Sequence, residues 1–559
     1  MANNIGLDFG TTYSVISRIK RLNRDENGKV IECELEACLP SEGTHSPCQD
    51  SLVLKKNDDS LEFGSLARES TGRKGSTLYK GFKMMLAETD ENVLKARGYT
   101  HEYTPERIIK EFIDDILKKY METYQIDGNL DKVVIGVPEI WFKKVSTIDC
   151  RTKLENIVSS LPYVNKVELV SEPAAACAYF VNNFKKENHY SFKGKVLIID
   201  YGGGTLDIAL CDVQEKGEFS EVSVMERCGA GLNEEGYIGK AGVAFIEEIV
   251  KLALSPTGLS DNDIINNRKF YKCAGSVENA LMLKMRDIKN IFDLAETINP
   301  ELINDEFYSI EFDDEPYSVT YGMLAKAYNK VISPVLGQKL GEMLDYINTH
   351  NITVDKIISV GGFCNFYLTQ AQIEDAFARG AGDSRFSDAI SDRRECEKAI
   401  SYGAALIAED IISFKHLSPY YLGFGKGSEK ELKKAYYIIK KGDVIDCDKP
   451  VFVKNADGTD TLFIAKKIPL FVFNLDDSCE KESALWGEPL EEYQRMLELR
   501  PLESGQRYKL GISLDKSMII TLHKQIVDVN NPNEVYEEGH VRLNEIYAIL
   551  GNMIEERRN

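Results

Sequence analysis

The residues best suited to chemistry lie in Lys195 to Asp212, KVLIIDYGGGTLDIALCD. Val196, Leu197, Ile198 and Ile199 form a continuous apolar run that breaks at Asp200 into Gly202, Gly203, Gly204 and Thr205, before a second apolar run that ends near Cys211. The pattern predicts strand, tight turn, strand. A hairpin needs only Asn-Gly or Asp-Gly to turn, so three glycines framed by Asp200, Thr205 and Asp207 imply that something approaches the backbone closely. The N–H groups of such a turn can cradle a phosphate while the two carboxylates handle a cation or a water. On this stretch alone, a plain glycine-rich hairpin is the alternative.

A second copy strengthens the phosphate reading. Ile5 to Ile16 repeats the order of strand, Asp8, Gly10 with the hydroxyls of Thr11, Thr12, Tyr13 and Ser14, and strand. A third apolar strand, Lys356 to Val360, runs into Gly361 and Gly362. Two such hairpins about 190 residues apart, followed by a strand ending in Gly-Gly, predict a duplicated α/β unit with nucleotide in the cleft between its halves.

The remaining elements must position those turns. Val30 to Leu54 alternates as strands around a Ser-Glu-Gly-Thr-His-Ser-Pro loop, and Thr104 with Pro105 opens a helix to Tyr124 whose apolar stripe includes Ile108, Ile109, Phe112, Ile113, Ile116 and Leu117. A buried strand over 132–137 ends at Pro138, a helix begins near Val145, and a strand over 167–170 leads to Glu172-Pro173. Carboxylates at the ends of buried parallel strands face a cleft in α/β folds, and Glu172 fits that place; a helix-capping glutamate is the competing reading. Helices are predicted over 243–254, 280–292, 322–347 and 404–412. From Tyr436 the chain reads as short strands, 436–439, 450–454, 461–464, 470–474, 508–514 and 518–522, divided by turn signals. One helix follows over 541–554, with Leu543, Ile546, Leu550 and Met553 at helical spacing.

Composition sets outer limits. With 559 residues, 43% hydrophobic and 28% charged, the chain can build two or more cores. A formal charge of -21 argues against nucleic acid or an anionic membrane as partner. The N-terminus has no basic leader and no apolar run reaches spanning length, so a cytoplasmic protein is expected. Twelve cysteines form no C-x-x-C pair and read as buried free thiols.

The segments IGLDFGTTYSV, VELVSEPAAACAYF (167–180), VLIIDYGGGTLDIAL, IISVGGFCNF (357–366) and AISYGAALIAED (399–410) resemble, in order, the ATPase domain of the DnaK-type, 70-kilodalton heat-shock chaperone family. The resemblance implies an actin-like (RNase H-like), duplicated two-lobed ATPase domain over 1–412, a linker over 413–419, and a small antiparallel β-domain that binds peptide over 420–559, closed by the one short helix. It implies ATP and Mg2+ as cofactors. Phosphates would sit on Gly10, Thr11, Thr12, Tyr13, Gly202, Gly203, Gly204 and Asp207, and the metal near Asp8, Glu172 and Asp200, held largely through waters. The catalytic set would be Lys83, Glu172, Asp200 and Thr205, with Lys80 the fallback for Lys83. The nucleoside would meet Lys289, Gly361, Gly362 and Asn365. Arg286, Asn290, Asp293, Phe363 and Asn365 depart from the family's base pocket, and no segment here is long enough for its helical lid.

The resemblance further implies an ATP-dependent chaperone that binds unfolded or extended polypeptide, with a J-domain cochaperone and a nucleotide exchange factor as partners. Glu168 and Ser146 stand where the family carries arginines that serve the J-domain and allostery, which predicts a weakened response to an ordinary J-domain. A nucleotide-binding regulator with little turnover and a sugar or acid kinase of the same fold are the alternatives. Glu172-Pro173-Ala174-Ala175 and the β-rich end argue against the kinase.

Overall fold

The computed structural model describes residues 3–26, 30–41, 44–71, 75–143, 149–216, 219–231, 241–260, 268–381, 397–428, 431–447, 449–464, 470–474 and 497–542. The chain divides into two compact units. The first holds Met1–Ile140, Ile157–Ser220 and Glu226–Ile412, and the second holds Trp141–Asn156, Glu221–Met225 and Ser413–Asn559.

The first unit is mixed α/β, with several sheets. Strands β1 (Asn4–Phe9), β2 (Tyr13–Arg24), β3 (Val30–Ala37) and β4 (Gln49–Asp50) begin it, and β5 (Leu52–Lys55), β6 (Leu61–Phe63) and β7 (Thr77–Lys80) make a small sheet of their own. With β8 (Lys132–Val137) and β9 (Val167–Ser171) the first large sheet runs β3-β2-β1-β8-β9, and β4 pairs with β2. A second sheet contains β10 (Gly194–Tyr201), β11 (Leu206–Lys216), β12 (Phe219–Ala230) and, beyond a two-stranded hairpin β13 (Glu306–Phe312) and β14 (Glu315–Thr320), β15 (Lys356–Val360) in the order β15-β10-β11-β12.

The two large sheets repeat one plan. β1 pairs antiparallel with β2 and parallel with β8, as β10 pairs antiparallel with β11 and parallel with β15. The last hairpin pairs are Phe9 with Ser14 and Tyr201 with Leu206, so each turn is four residues long and each is entered one residue after an aspartate. That register makes Asp8 and Asp200 equivalent.

Every side chain of β8 is buried, as a strand covered on both faces requires. The covering layer includes helix Ala399–Ala408, which lies on β1 and against helix Glu172–Asn188. Glycine makes this approach possible. A Cβ on Gly6 would stand 2.3 Å from the Ala405 nitrogen, and one on Gly403 would stand 1.7 Å from the Ala175 carbonyl oxygen. Helix Pro105–Thr123 is capped by the Thr104 hydroxyl, which accepts from the Arg107 N–H, and it buries the stripe read from the sequence.

Where the elements differ from expectation, local causes are visible. The helix expected over 280–292 is broken at Lys284 into Arg268–Leu283 and Met285–Thr297. The 322–347 stretch passes through a π-helical turn at Tyr328–Ile332, just before Pro334, whose ring cannot accept an ordinary helical neighbour.

The second unit is β-rich. Strand β16 (Ile412–Phe414) forms inside the expected linker, and the Lys415 N–H donates to the Val222 carbonyl at 2.9 Å. Then follow β17 (Tyr421–Ser428), β18 (Glu431–Ile439), β19 (Val451–Phe452), β20 (Leu470–Asn474), β21 (Gln506–Leu514), β22 (Ile520–Asp528) and β23 (Val535–Arg542). They form two sheets, β18-β17-β20 and β19-β21-β22-β23. The expected 461–464 strand contributes only a bridge between Phe463 and Tyr508. Val541 and Arg542, expected to start the last helix, end β23; the rest of that helix lies outside the described residues.

Candidate active site

The two turns of the first unit open onto one cavity of about 440 Å³. Gly10, Thr11, Thr12 and Tyr13 line it from the first turn, and Gly202, Gly203, Gly204 and Thr205 from the second. A Cβ on Gly203 would lie 2.2 Å from the Thr12 Oγ1 and one on Gly204 2.1 Å from the Thr11 Oγ1. The glycines are therefore dictated by contact between the turns, which also leaves backbone exposed to the cavity. Ser51 fastens the first turn twice, its hydroxyl donating to the Gly10 carbonyl at 2.7 Å and its N–H donating to the Thr12 carbonyl at 2.8 Å. The second turn is held by the start of helix Gly242–Leu254, where the Val243 N–H donates to the Gly203 carbonyl at 2.8 Å.

The acidic residues converge on the same cavity. Asp8 ends β1, Asp200 ends β10, and Glu172 starts its helix directly after β9, with Ser171 as the cap and Pro173 in the first turn where its missing N–H costs nothing. Lys83 sits in the short helix Phe82–Met85 behind Gly81, whose φ of 61° needs glycine. It is only 2% exposed, ion-paired with Glu172, and 5.7 Å above the Phe9 ring. Lys80, the fallback, instead pairs with Glu247 at 3.1 Å in a neighbouring cavity.

Crowding of carboxylates sets their titration. Desolvation and the Glu172 charge push Asp8 up to about 7, with Lys83 opposing. Asp200 is raised by burial and then by Glu172, Asp207 and Asp8. Asp207 is raised chiefly by burial and Glu172, although the Thr205 hydroxyl and the Glu139 N–H, at 2.7 Å, favour its charged form. Such a set, short of positive charge, is suited to a cation. Among the described residues no group of three or more His, Cys, Asp or Glu side chains forms a direct metal-ligand set, so this donor array fits a hydrated cation rather than a closed cage.

Gly361 and Gly362 also line the cavity, together with Phe363 and Asn365. Gly361 has φ of 83°, and a Cβ there would meet the Asp200 Oδ1 at 2.4 Å. Lys289 does not line it. Lys289 pairs with Asp293 on an exposed helix face, and Asp293 also accepts from the Tyr367 hydroxyl at 2.7 Å. Arg286 and Asn290 are likewise absent from the lining. What reaches the cavity from this stretch is Glu278, Leu281 and Met282 at the end of helix Arg268–Leu283 and Met285 at the start of the next, eight residues before the expected set. Leu281, Met282 and Met285 carry no polar group that would mark them as binding residues in the sequence.

Two further expectations meet the structure. Glu168 is not a surface charge available to a partner, because it is buried and paired with Lys132 at 3.2 Å across the β8–β9 edge. Ser146 lies outside the described residues. A second buried pair, Glu139 with Arg227 at 3.2 Å, was not anticipated; it sits beside Asp207. All ten described cysteines are free, six of them buried.

The fold and the cavity define a mixed α/β protein with paired, glycine-cradled turns around an acidic centre. A family model for "Hsp70 protein" matches residues 71–225. Among curated proteins, the chain is 25% identical over 381 residues to "Chaperone protein DnaK" of Elusimicrobium minutum, covering 67% of this chain and 54% of that one. It is 24% identical over 426 residues to the protein of that name in Mycoplasmopsis agalactiae, covering 75% and 61%. With the Metamycoplasma hominis protein it is 29% identical over 221 residues, covering 38% and 31%. The chain thus spans about half the length of the curated relatives it matches. These matches make the chain similar, at modest identity, to proteins of the Hsp70/DnaK type.

Proposed function

We propose that the chain is an ATP-dependent molecular chaperone of the DnaK type, in which ATP hydrolysis by the 1–412 region controls binding of extended apolar polypeptide by the β-rich region over 420–559. The observation that carries this is the convergence of Asp8, Asp200, Glu172 and Lys83 on one cavity rimmed by two glycine turns in tight mutual contact. ATP with Mg2+ fits the residues present, the turns offering backbone N–H groups to phosphate and Asp8, Glu172 and Asp200 offering oxygens to the water shell of the ion. The bound ion supplies charge neutralisation for the phosphates.

The chain's own groups have the remaining tasks. Hydrolysis asks for an in-line water and little covalent help. Lys83, withdrawn from solvent and held by Glu172, places its positive charge beside the transferred phosphoryl group. Thr205 orients the water, and Asp200 or Asp207 accepts its proton, the Asp207 carboxylate being held by the Glu139 N–H at 2.7 Å. J-domain and exchange-factor partners belong to the same reading, without Glu168 as a contact.

Steady-state release of phosphate from ATP, measured with and without Mg2+, unfolded peptide and a panel of sugars, tests the proposal. Slow, Mg2+-dependent turnover stimulated by peptide supports it. Phosphoryl transfer to a sugar would identify a kinase, and nucleotide binding with no turnover would identify a regulator.

A further inference from the structure

Beyond the two turns, the cavity has a wall of a different character. Leu281, Met282 and Met285 line it from either side of the helix break at Lys284, and Phe363 lines it from the turn after β15. Phe363 is fixed by neighbouring rings, 5.3 Å from Tyr201, 5.1 Å from Phe245 and 5.4 Å from Phe366. Among the described residues that line the cavity, Glu278 and Asn365 are the polar ones nearest to these four along the chain. Lys289, the residue best suited to reach a base edge, is engaged with Asp293 outside the cavity.

Resting on the nucleotide reading above, we infer that this wall grips the base of a nucleoside diphosphate by its faces, between methionine thioethers and Phe363, and that the protein therefore takes adenine and guanine nucleotides with little preference. A site discriminates strongly when it aligns buried donors and acceptors with the edge of its ligand, whereas apolar contact separates similar ligands only weakly. Thioethers adapt to the surface of any aromatic ring, and stacking tolerates every base. Glu278 can accept from ribose hydroxyls, which are common to all ribonucleotides. Asn365 carries both a donor and an acceptor and can turn either toward a purine edge.

Equilibrium titration calorimetry of the full chain with ADP, GDP and CDP, each with Mg2+, tests this without reference to turnover. The expected result is ADP and GDP dissociation constants within about tenfold of each other, with CDP weaker because its single ring stacks over less area. Met285→Ala is expected to weaken ADP and GDP together and leave their ratio unchanged, with circular dichroism confirming the fold. An ADP preference over GDP beyond about 100-fold, or a Met285→Ala variant that shifts the ratio by more than about tenfold, would overturn the inference while leaving nucleotide binding intact. Binding of none of the three by folded protein would remove the nucleotide reading and this inference with it.

Discussion

At the residue scale, the cavity concentrates negative charge around one withdrawn cation, and its behaviour follows from that imbalance. Replacing Asp200 by Asn, or Lys83 by Ala, is expected to cut ATP hydrolysis about 100-fold, roughly 2.7 kcal/mol of barrier, with far-ultraviolet circular dichroism unchanged. Wild-type turnover no faster than either variant would exclude the assignment. The carboxylates also make the ligand-free protein sensitive to pH. Burial and the Glu172 charge raise the Asp8 carboxyl to about 7 in the folded state, so its protonated form contributes stability that is fully present below the ordinary carboxylate value and is lost as pH rises through 7. Asp8→Asn should therefore gain stability relative to wild type between pH ~5 and ~7, read as a widening gap in urea midpoints. An unchanged gap would show that Asp8 titrates normally. The glycines and aspartates of the turns were legible in the sequence because few other roles need three glycines between two carboxylates. The base-facing wall was not, because Leu281, Met282 and Met285 carry no polar signature and the Arg286, Lys289, Asn290, Asp293 series offers the same spacing with more inviting chemistry.

At the element scale, close approach and buried pairing hold the frame that carries those residues. Helix Ala399–Ala408 reaches β1 and helix Glu172–Asn188 only because Gly6 and Gly403 lack side chains. Gly403→Ala is expected to cost ~3 kcal/mol or more, since the carbonyl it meets is backbone and cannot swing aside. A melting temperature equal to wild type would refute that account. The small-residue runs around Ala174 and Ala404 carried the family resemblance in the sequence, but nothing local there says that Gly403 meets the Ala175 carbonyl. Glu168 shows the opposite limit. Its partner Lys132 lies 36 residues away on the adjacent parallel strand, and only the Val134 to Glu168 register brings the two together. Glu168→Arg would set two cations side by side in a buried place and is expected to destabilise the protein by about 3–5 kcal/mol. A variant as stable as wild type in urea would mean that the pair carries little.

At the scale of the whole molecule, chain order and compact units do not coincide. The sequence predicts a boundary near 412–419, yet residues Trp141–Asn156 and Glu221–Met225 belong to the same unit as the β-rich end. Within that unit Arg151 is 1% exposed, stacked 4.3 Å from the Phe142 ring, and donates to the Ser517 carbonyl and to the Tyr420 hydroxyl. Arg542, at the end of β23, pairs with both Glu155 at 2.9 Å and Asp515. A buried guanidinium stacked on a ring and spent on hydrogen bonds is structural material, and removing it takes a donor from the Tyr420 hydroxyl and from the Ser517 carbonyl and leaves its own buried volume empty. No local pattern announces this, because an arginine in a helix reads as solvated surface until its distant partners are known. Arg151→Ala is therefore expected to destabilise the second unit by about 2–3 kcal/mol. A fragment comprising 413–559 alone, lacking Arg151 and Glu155, is expected to bind a hydrophobic dye and to unfold in urea over a broader range than the full chain. A fragment that unfolds as cooperatively as the full chain, together with an Arg151→Ala variant of wild-type stability, would show that residues 141–156 are dispensable to the β-rich unit and that its core is complete without them.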